Sequence, residues 1–195
     1  MAHRARAGYW LQPAHTSTIM GGCLSRPAEV QDDLILHGVI YHPRNFDLDL
    51  IIQRIRDGNL PSLASELANV DGAYAFIHPS DDGLILGRDP LGVKPLYVAR
   101  NGHLVGVASE VKALTSVGLR EVERVVPGWI YYIRLHSQEK YEIRTWRNVD
   151  QLQVDLDEAS ERVLDLLIDS LRRRISGRER VCVGFSGGLD SSLLA

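Results

Sequence analysis

Cysteine is nearly absent, with Cys23 and Cys182 the only two in 195 residues. One sits in a small-residue stretch and the other inside an apolar run, so a disulfide framework is not supported. Neither charge dominates: 22 Lys and Arg stand against 25 Asp and Glu, for a net charge of -3. Nothing in that balance asks for a nucleic-acid or membrane partner. No apolar run approaches the roughly 20 residues that a membrane span needs. The opening Met1-Ala2-His3-Arg4-Ala5-Arg6-Ala7 has no hydrophobic stretch behind it to make a signal peptide, and a cytoplasmic location is expected. His37, His42, His78, His103 and His136 lack ligand spacing, so surface or satisfied histidines explain them without a metal site. No lysine follows Ser186-Gly187-Gly188, which excludes the Walker-type phosphate loop.

What is present can fill a core: 45% of the residues are hydrophobic, and the length suits one domain and part of another. Residues 1–31 show no sustained periodicity and are expected to be poorly ordered. Within them, the run from Met20 imitates a myristoylation signal away from a true N-terminus, which chance explains. Cys23 has no nameable histidine partner and reads as a small hydrophobe. Order is expected from about Asp33, with a strand over 34–41 and then a helix from about Asp47. Leu48, Ile51, Ile52 and Ile55 fall on one face of that helix, and Gly58 closes it. Pro61 starts a second short helix through Leu67. Strands follow over 73–77, 84–87, 96–100 and 103–108, with a turn at 79–83 and an Asn101-Gly102 hairpin. A short capped helix starts at Ser109, and further strands cover 125–135 and 141–146. Arg88-Asp89 reads as a buried Arg-carboxylate pair in a turn whose backbone Pro90 and Pro95 fix. A long helix over 155–175 carries a stripe of Leu156, Ala159, Val163, Leu167, Leu171 and Ile175, with Asp155 and Glu158 as a capping box. Arg172, Arg173 and Arg174 are placed to complement the dipole at its C-terminus.

The last stretch bears the most chemistry. Val181, Cys182, Val183 and Phe185 read as a strand buried on both faces, broken by Ser186-Gly187-Gly188 and followed by a helix from Leu189. Glycines bring backbone close to an anion, and a helix start presents free N–H groups. Ser186-Gly187-Gly188-Leu189-Asp190-Ser191 resembles the SGGxDS loop of the ATP-pyrophosphatase superfamily. That resemblance implies ATP and Mg2+, with Phe185, Ser186, Gly187, Gly188, Asp190 and Ser191 around the pyrophosphate and Asp190 serving the magnesium. A plain strand-turn-helix junction is the bland alternative.

Earlier in the chain, Asp71-Gly72-Ala73-Tyr74-Ala75-Phe76, the run from Gly87 to Tyr97, and Ala108-Ser109-Glu110 are similar to successive signatures of class II glutamine amidotransferase domains. Together with the serine-glycine loop, the chain resembles glutamine-hydrolysing asparagine synthetase and its relatives. The resemblance implies an α+β fold: a reduced antiparallel sheet sandwich of the N-terminal-nucleophile type over 1–150. After it, 151–195 would hold a linker helix and the truncated start of a parallel α/β ATP-pyrophosphatase domain. It also implies aspartate or a similar carboxylate as acceptor, ammonia or glutamine as nitrogen source, and a homodimer as an assembly open to it. The family's catalytic residue is a cysteine whose free α-amino group serves as base. Here Ala2 follows Met1, Cys23 is internal, and an Arg-Gly-Pro loop is missing, so no catalytic residue is assigned. His37-Gly38-Val39 stands where the family has Asn-Gly-Glu, and Asp47 matches the ligand for the glutamine ammonium; these form a vestigial glutamine site. A β-lactam synthetase-like enzyme and a non-catalytic remnant or interaction module remain as alternatives.

Overall fold

The computed structural model describes residues 9–15, 18–23, 28–31, 34–42, 48–80, 82–102, 104–135, 140–145, 151 and 153–195, with side chains from residue 34 onward apart from Leu48. The chain divides into two compact units, Met1–Val149 and Asp150–Ala195.

The first unit begins with an antiparallel hairpin of β1 (Tyr9–His15) and β2 (Thr18–Cys23), then β3 (Ala28–Gln31) and β4 (Leu34–His42). The expectation of poor order over 1–31 is thereby corrected for residues 9–15, 18–23 and 28–31; the rest of that stretch lies outside the described residues. Pro13 and Gly21-Gly22 break any alternation, yet β1 and β2 pair from Tyr9↔Cys23 to His15↔Thr18, with an irregular register between Pro13 and His15. Helices α1 (Leu48–Arg56) and α2 (Leu60–Leu67) follow. In α1, Ile51, Ile52 and Ile55 are buried as their spacing predicts. Asn59 caps α2 by accepting from the Ser62 N–H at 3.1 Å, and Arg54 ties the two helices through Glu66 at 2.8 Å.

A meander comes next: β5 (Asp71–Ser80), β6 (Gly83–Arg88), β7 (Tyr97–Asn101) and β8 (Leu104–Ala108), then α3 (Val111–Thr115). The cap of α3 is Glu110, with no side-chain cap hydrogen bond, rather than Ser109. Of the strand expected over 125–135 only β10 (Trp129–Arg134) forms; an unexpected short strand, β9 (Val122–Arg124), precedes it, and β11 (Lys140–Arg144) follows. Pro127 and Gly128, the latter at φ +71°, carry the chain from one sheet to the other between β9 and β10.

Among the described residues all strand pairings are antiparallel: besides the β1-β2 hairpin there are a six-stranded sheet ordered β11-β10-β6-β5-β4-β3 and a three-stranded sheet ordered β8-β7-β9. Side chains alternate across the six-stranded sheet. Leu34, Leu36, Tyr74, Phe76, Ile85 and Ile130 pack against α1 and α2, while Ala75, Leu84, Leu86, Tyr131 and Ile133 pack against Val98 of the second sheet and against Leu96 and Val125 at its strand ends. Ala99, Leu114 and Leu119 then join the outer face of that sheet to α3. The result is four layers, helix, sheet, sheet, helix. In this α+β sandwich β6 is buried along its whole length.

The second unit holds α4 (Leu156–Ile175) and α5 (Leu189–Leu194). Asp155 caps α4 by accepting from the Glu158 N–H at 2.9 Å, and Arg172, Arg173 and Arg174 lie in its last turn as expected. None of its residues is buried, although its apolar stripe is intact. The strand expected over 181–185 is not formed: Val181, Val183 and Phe185 are 53%, 47% and 65% exposed. A strand of this type is held by its neighbours, and no other strand lies within its unit among the described residues.

Candidate functional site

On the first unit, β4 carries His37, Gly38 and Val39 between β3 and β5, with His37 opposite both Ala28 and Ala75. Gly38 adopts φ +145°, and a Cβ there would lie 2.0 Å from the Ala73 carbonyl oxygen. Only glycine permits this closeness to β5. His37 is half-buried and has interaction partners, whereas Val39 is 44% exposed. Asp47 lies outside the described residues. Thus three of the four residues that the resemblance assigns to a vestigial glutamine site lie on one strand.

The turn after β6 is organised by Arg88 and Asp89, which are 1% and 0% exposed. They do not form the expected salt bridge. The Arg88 guanidinium instead donates to three backbone carbonyls: Nε to Lys94 at 2.7 Å, Nη1 to Val125 at 2.8 Å and Nη2 to Gly92 at 2.7 Å. The Asp89 carboxylate accepts from the Val93 and Lys94 N–H groups, each at 2.9 Å. The physical reason is accounting of backbone groups, since a buried turn has unpaired carbonyls and amides that each need a partner. A planar five-donor fork suits the carbonyls and a carboxylate suits the amides. Burial and the neighbouring Arg124 pull the Arg88 guanidinium below its ordinary range, with Asp89 opposing them. Gly92, at φ +64°, lets the turn close against Arg88 and Pro127.

Next to this turn, the Tyr74 hydroxyl is fully buried and has no hydrogen-bond partner. Burial, and then the Asp89 charge, push its pKa well above the usual phenol range. The sequence holds no signal for this group: an aromatic at an inward strand position announces packing, not an orphan hydroxyl.

On the second unit, the serine-glycine loop gathers its polar groups. The Ser186 and Ser191 hydroxyls are 3.1 Å apart, the Gly188 N–H donates to Ser186 Oγ at 3.3 Å, and the Ser186 N–H donates to Ser191 Oγ at 3.2 Å. Ser191 and Ser192 hydroxyls both donate to the Gly188 carbonyl, at 3.0 and 2.8 Å. Gly187 bends the loop at φ +77°, and α5 starts from Gly188. Asp190 is exposed in the first turn of that helix, and Phe185 is exposed beside the loop. Two hydroxyls and two backbone N–H groups on one exposed loop fit an anion such as a phosphate. A magnesium ion fits only together with that anion: no group of three acidic, histidine or cysteine residues able to hold a metal occurs among the described residues, and Asp190 supplies one carboxylate.

An antiparallel α+β sandwich with a glycine-pinned β4 and an Arg-Asp-braced turn is the frame in which the family falls. Residues 12–116 match the glutamine amidotransferase domain family, and the chain belongs to it. More narrowly, it carries an amidotransferase domain like that of glutamine-hydrolysing asparagine synthetases. It is 31% identical over 132 residues to asparagine synthetase B [glutamine-hydrolyzing] of Escherichia coli (strain K12), covering 66% of this chain and 24% of that protein. With asparagine synthetase [glutamine-hydrolyzing] of Gallus gallus it shares 28% identity over 174 residues, 76% of this chain and 30% of that protein. It is also similar to the solved glutamine phosphoribosylpyrophosphate amidotransferase from B. subtilis complexed with ADP and GMP, at 20% identity, 72% and 32% coverage and a TM-score of 0.46. The chain therefore spans under a third of the length of these curated relatives.

Proposed function

We propose that this chain is part of an asparagine synthetase-like, ATP-dependent amide-forming ligase whose glutaminase step has been lost. The observation that carries the reading is the convergence of the Ser186 and Ser191 hydroxyls and the Gly188 N–H on one loop, in a chain of the amidotransferase family. In the proposed reaction a carboxylate oxygen of aspartate, or of a similar acid, attacks the α-phosphorus of ATP, and pyrophosphate leaves. Ammonia or an amine then attacks the acyl carbon, AMP leaves, and a proton is lost from nitrogen. Ser186, Gly188 and Ser191 hold the departing pyrophosphate by donating to its oxygens. Magnesium, when bound, neutralises pyrophosphate charge, and Asp190 is the residue of the loop placed to serve it.

Loss of glutamine hydrolysis rests on His37 and Val39 where the family has asparagine and glutamate. It also rests on Cys23, whose nitrogen is an ordinary amide at the end of β2 rather than a free amine. Losing one oxyanion donor alone costs on the order of a hundredfold in rate.

The test uses the parent protein with ATP, magnesium, aspartate and ammonium. Pyrophosphate rather than orthophosphate is released, glutamine does not replace ammonium, and Asp190→Asn cuts release at least about tenfold by weakening the magnesium site. Absence of pyrophosphate release, or release untouched by Asp190→Asn, refutes the ligase and leaves a non-catalytic remnant. Glutamate production from glutamine that Cys23→Ala abolishes refutes the loss of the glutaminase step.

A further inference from the structure

The three-stranded sheet of the first unit borders a cleft at β7 and β9. A cavity of about 450 Å³ lies there with an apolar floor of Val98 and Ile133, each 5% exposed, and the half-buried Val105. Lys140 and Glu123 also line it, but they satisfy each other at 2.6 Å, and Lys140 holds Glu142 as well at 2.9 Å. Two other charges at the cavity are not satisfied in this way. Arg100 is half-buried, and its guanidinium donates only to neutral carbonyls, Gly102 at 3.1 Å and Leu135 at 3.0 Å. Glu121 lines the same cavity and has no hydrogen bond or ion pair among the described residues. The two residues do not pair with each other, yet both also line an adjoining polar cavity of about 530 Å³. Arg100 and Glu121 thus both line an apolar and a polar space, the latter shared with Arg120, and neither has a charged partner among the described residues.

We propose that this cleft binds a free α-amino acid with an apolar side chain. The ligand carboxylate pairs with Arg100, its ammonium with Glu121, and its side chain lies on Val98, Val105 and Ile133. The size is that of a small-molecule pocket, and a few polar groups over an apolar floor is the arrangement such pockets use. A simple fatty carboxylate leaves Glu121 unmatched. A polar amino acid such as aspartate would have to desolvate its side chain against the floor without a partner. The cleft is built from residues of the first unit and the serine-glycine loop from those of the second, so the proposal is tested independently of the ligase reading.

Calorimetric titration of the 195-residue chain with L-leucine tests it, beside 4-methylpentanoate, 3-methylbutylamine and L-aspartate. Leucine binds saturably at one site and raises the melting temperature. Each analogue lacking one charge binds at least about tenfold more weakly, the loss expected for one charge-assisted hydrogen bond. Arg100→Gln and Glu121→Gln each weaken leucine binding by a similar factor. Because Glu121 is exposed, Glu121→Gln folds as the parent does, which circular dichroism checks. No saturable leucine binding, equal binding of leucine and 4-methylpentanoate, or affinity unchanged in Glu121→Gln overturns the proposal.

Discussion

Arg88→Lys keeps the charge and removes the fork, so it isolates what the guanidinium geometry contributes. Three carbonyls from residues 92, 94 and 125 are held at 2.7 to 2.8 Å by three different nitrogens. A lysine ammonium is a single point on a thinner stem and reaches one of these carbonyls, leaving two without a donor. The bond to Val125 is fully buried, whereas those to Gly92 and Lys94 are partly so and water reaches them in part. At about 1–2 kcal/mol for each lost bond, the variant is destabilised by about 2–4 kcal/mol, a large share of the roughly 5–15 kcal/mol that holds a domain together. Urea unfolding followed by circular dichroism reads this as a midpoint lowered by about 1–2 M at unchanged slope, for a slope near 2 kcal/mol/M. Asp89→Asn serves as the companion. Its amide keeps one acceptor for Val93 or Lys94 and turns an N–H donor toward the other, which costs about 1–3 kcal/mol. A loss below about 1 kcal/mol in Arg88→Lys would refute the three-carbonyl account, because a charge held only by its attraction to Asp89 survives that exchange.

Tyr74→Phe removes a buried hydroxyl with no partner, so urea unfolding at neutral pH should show no loss and a gain of up to about 1 kcal/mol. The same variant has a pH signature. The folded pKa is raised, so the unfolded chain loses this proton first and the parent's stability falls as pH climbs past the ordinary phenol value of about 10; Tyr74→Phe flattens that alkaline decline, and identical alkaline profiles would refute it. Gly38→Ala places a methyl 2.0 Å from the Ala73 oxygen at a φ that alanine rarely adopts. It should cost more than about 3 kcal/mol and show as insoluble protein or a collapsed urea midpoint, whereas parent-like stability would mean β4 and β5 separate freely.

Much of the sandwich was legible because its elements announce themselves by period. Ile51, Ile52 and Ile55 repeat as a helix face and are buried, and Tyr74, Ala75 and Phe76 alternate across β5 as a strand between two apolar layers requires. The first hairpin carries no such period: Pro13 and Gly21-Gly22 interrupt any alternation in the two strands that pair Tyr9 with Cys23. Residues 122–134 misled for another reason. Val125 is wholly buried and apolar like a strand residue, yet it sits where the chain leaves one sheet for the other, and its carbonyl goes to Arg88 rather than to a ladder. Apolar character reports burial, and burial alone does not choose a sheet.

The run at 181–185 makes the opposite point. Valine and phenylalanine at these positions have the composition of a buried strand, but composition supplies only the willingness to pair, and the ladder itself needs neighbours. The serine-glycine loop needs none, because its bonds are local: Ser186, Gly188 and Ser191 lie within one turn and satisfy one another. That self-satisfaction bears on how an anion would bind. An incoming phosphate must take the Ser191 hydroxyl from the Gly188 carbonyl and separate it from Ser186, giving up neutral hydrogen bonds of 3.0 and 3.1 Å for charge-assisted ones. Charge-assisted bonds are roughly twice as strong as neutral ones, so replacing these two bonds asks for a charged ligand rather than a neutral one. Without such a ligand, the loop is held in shape by neutral bonds among its own residues.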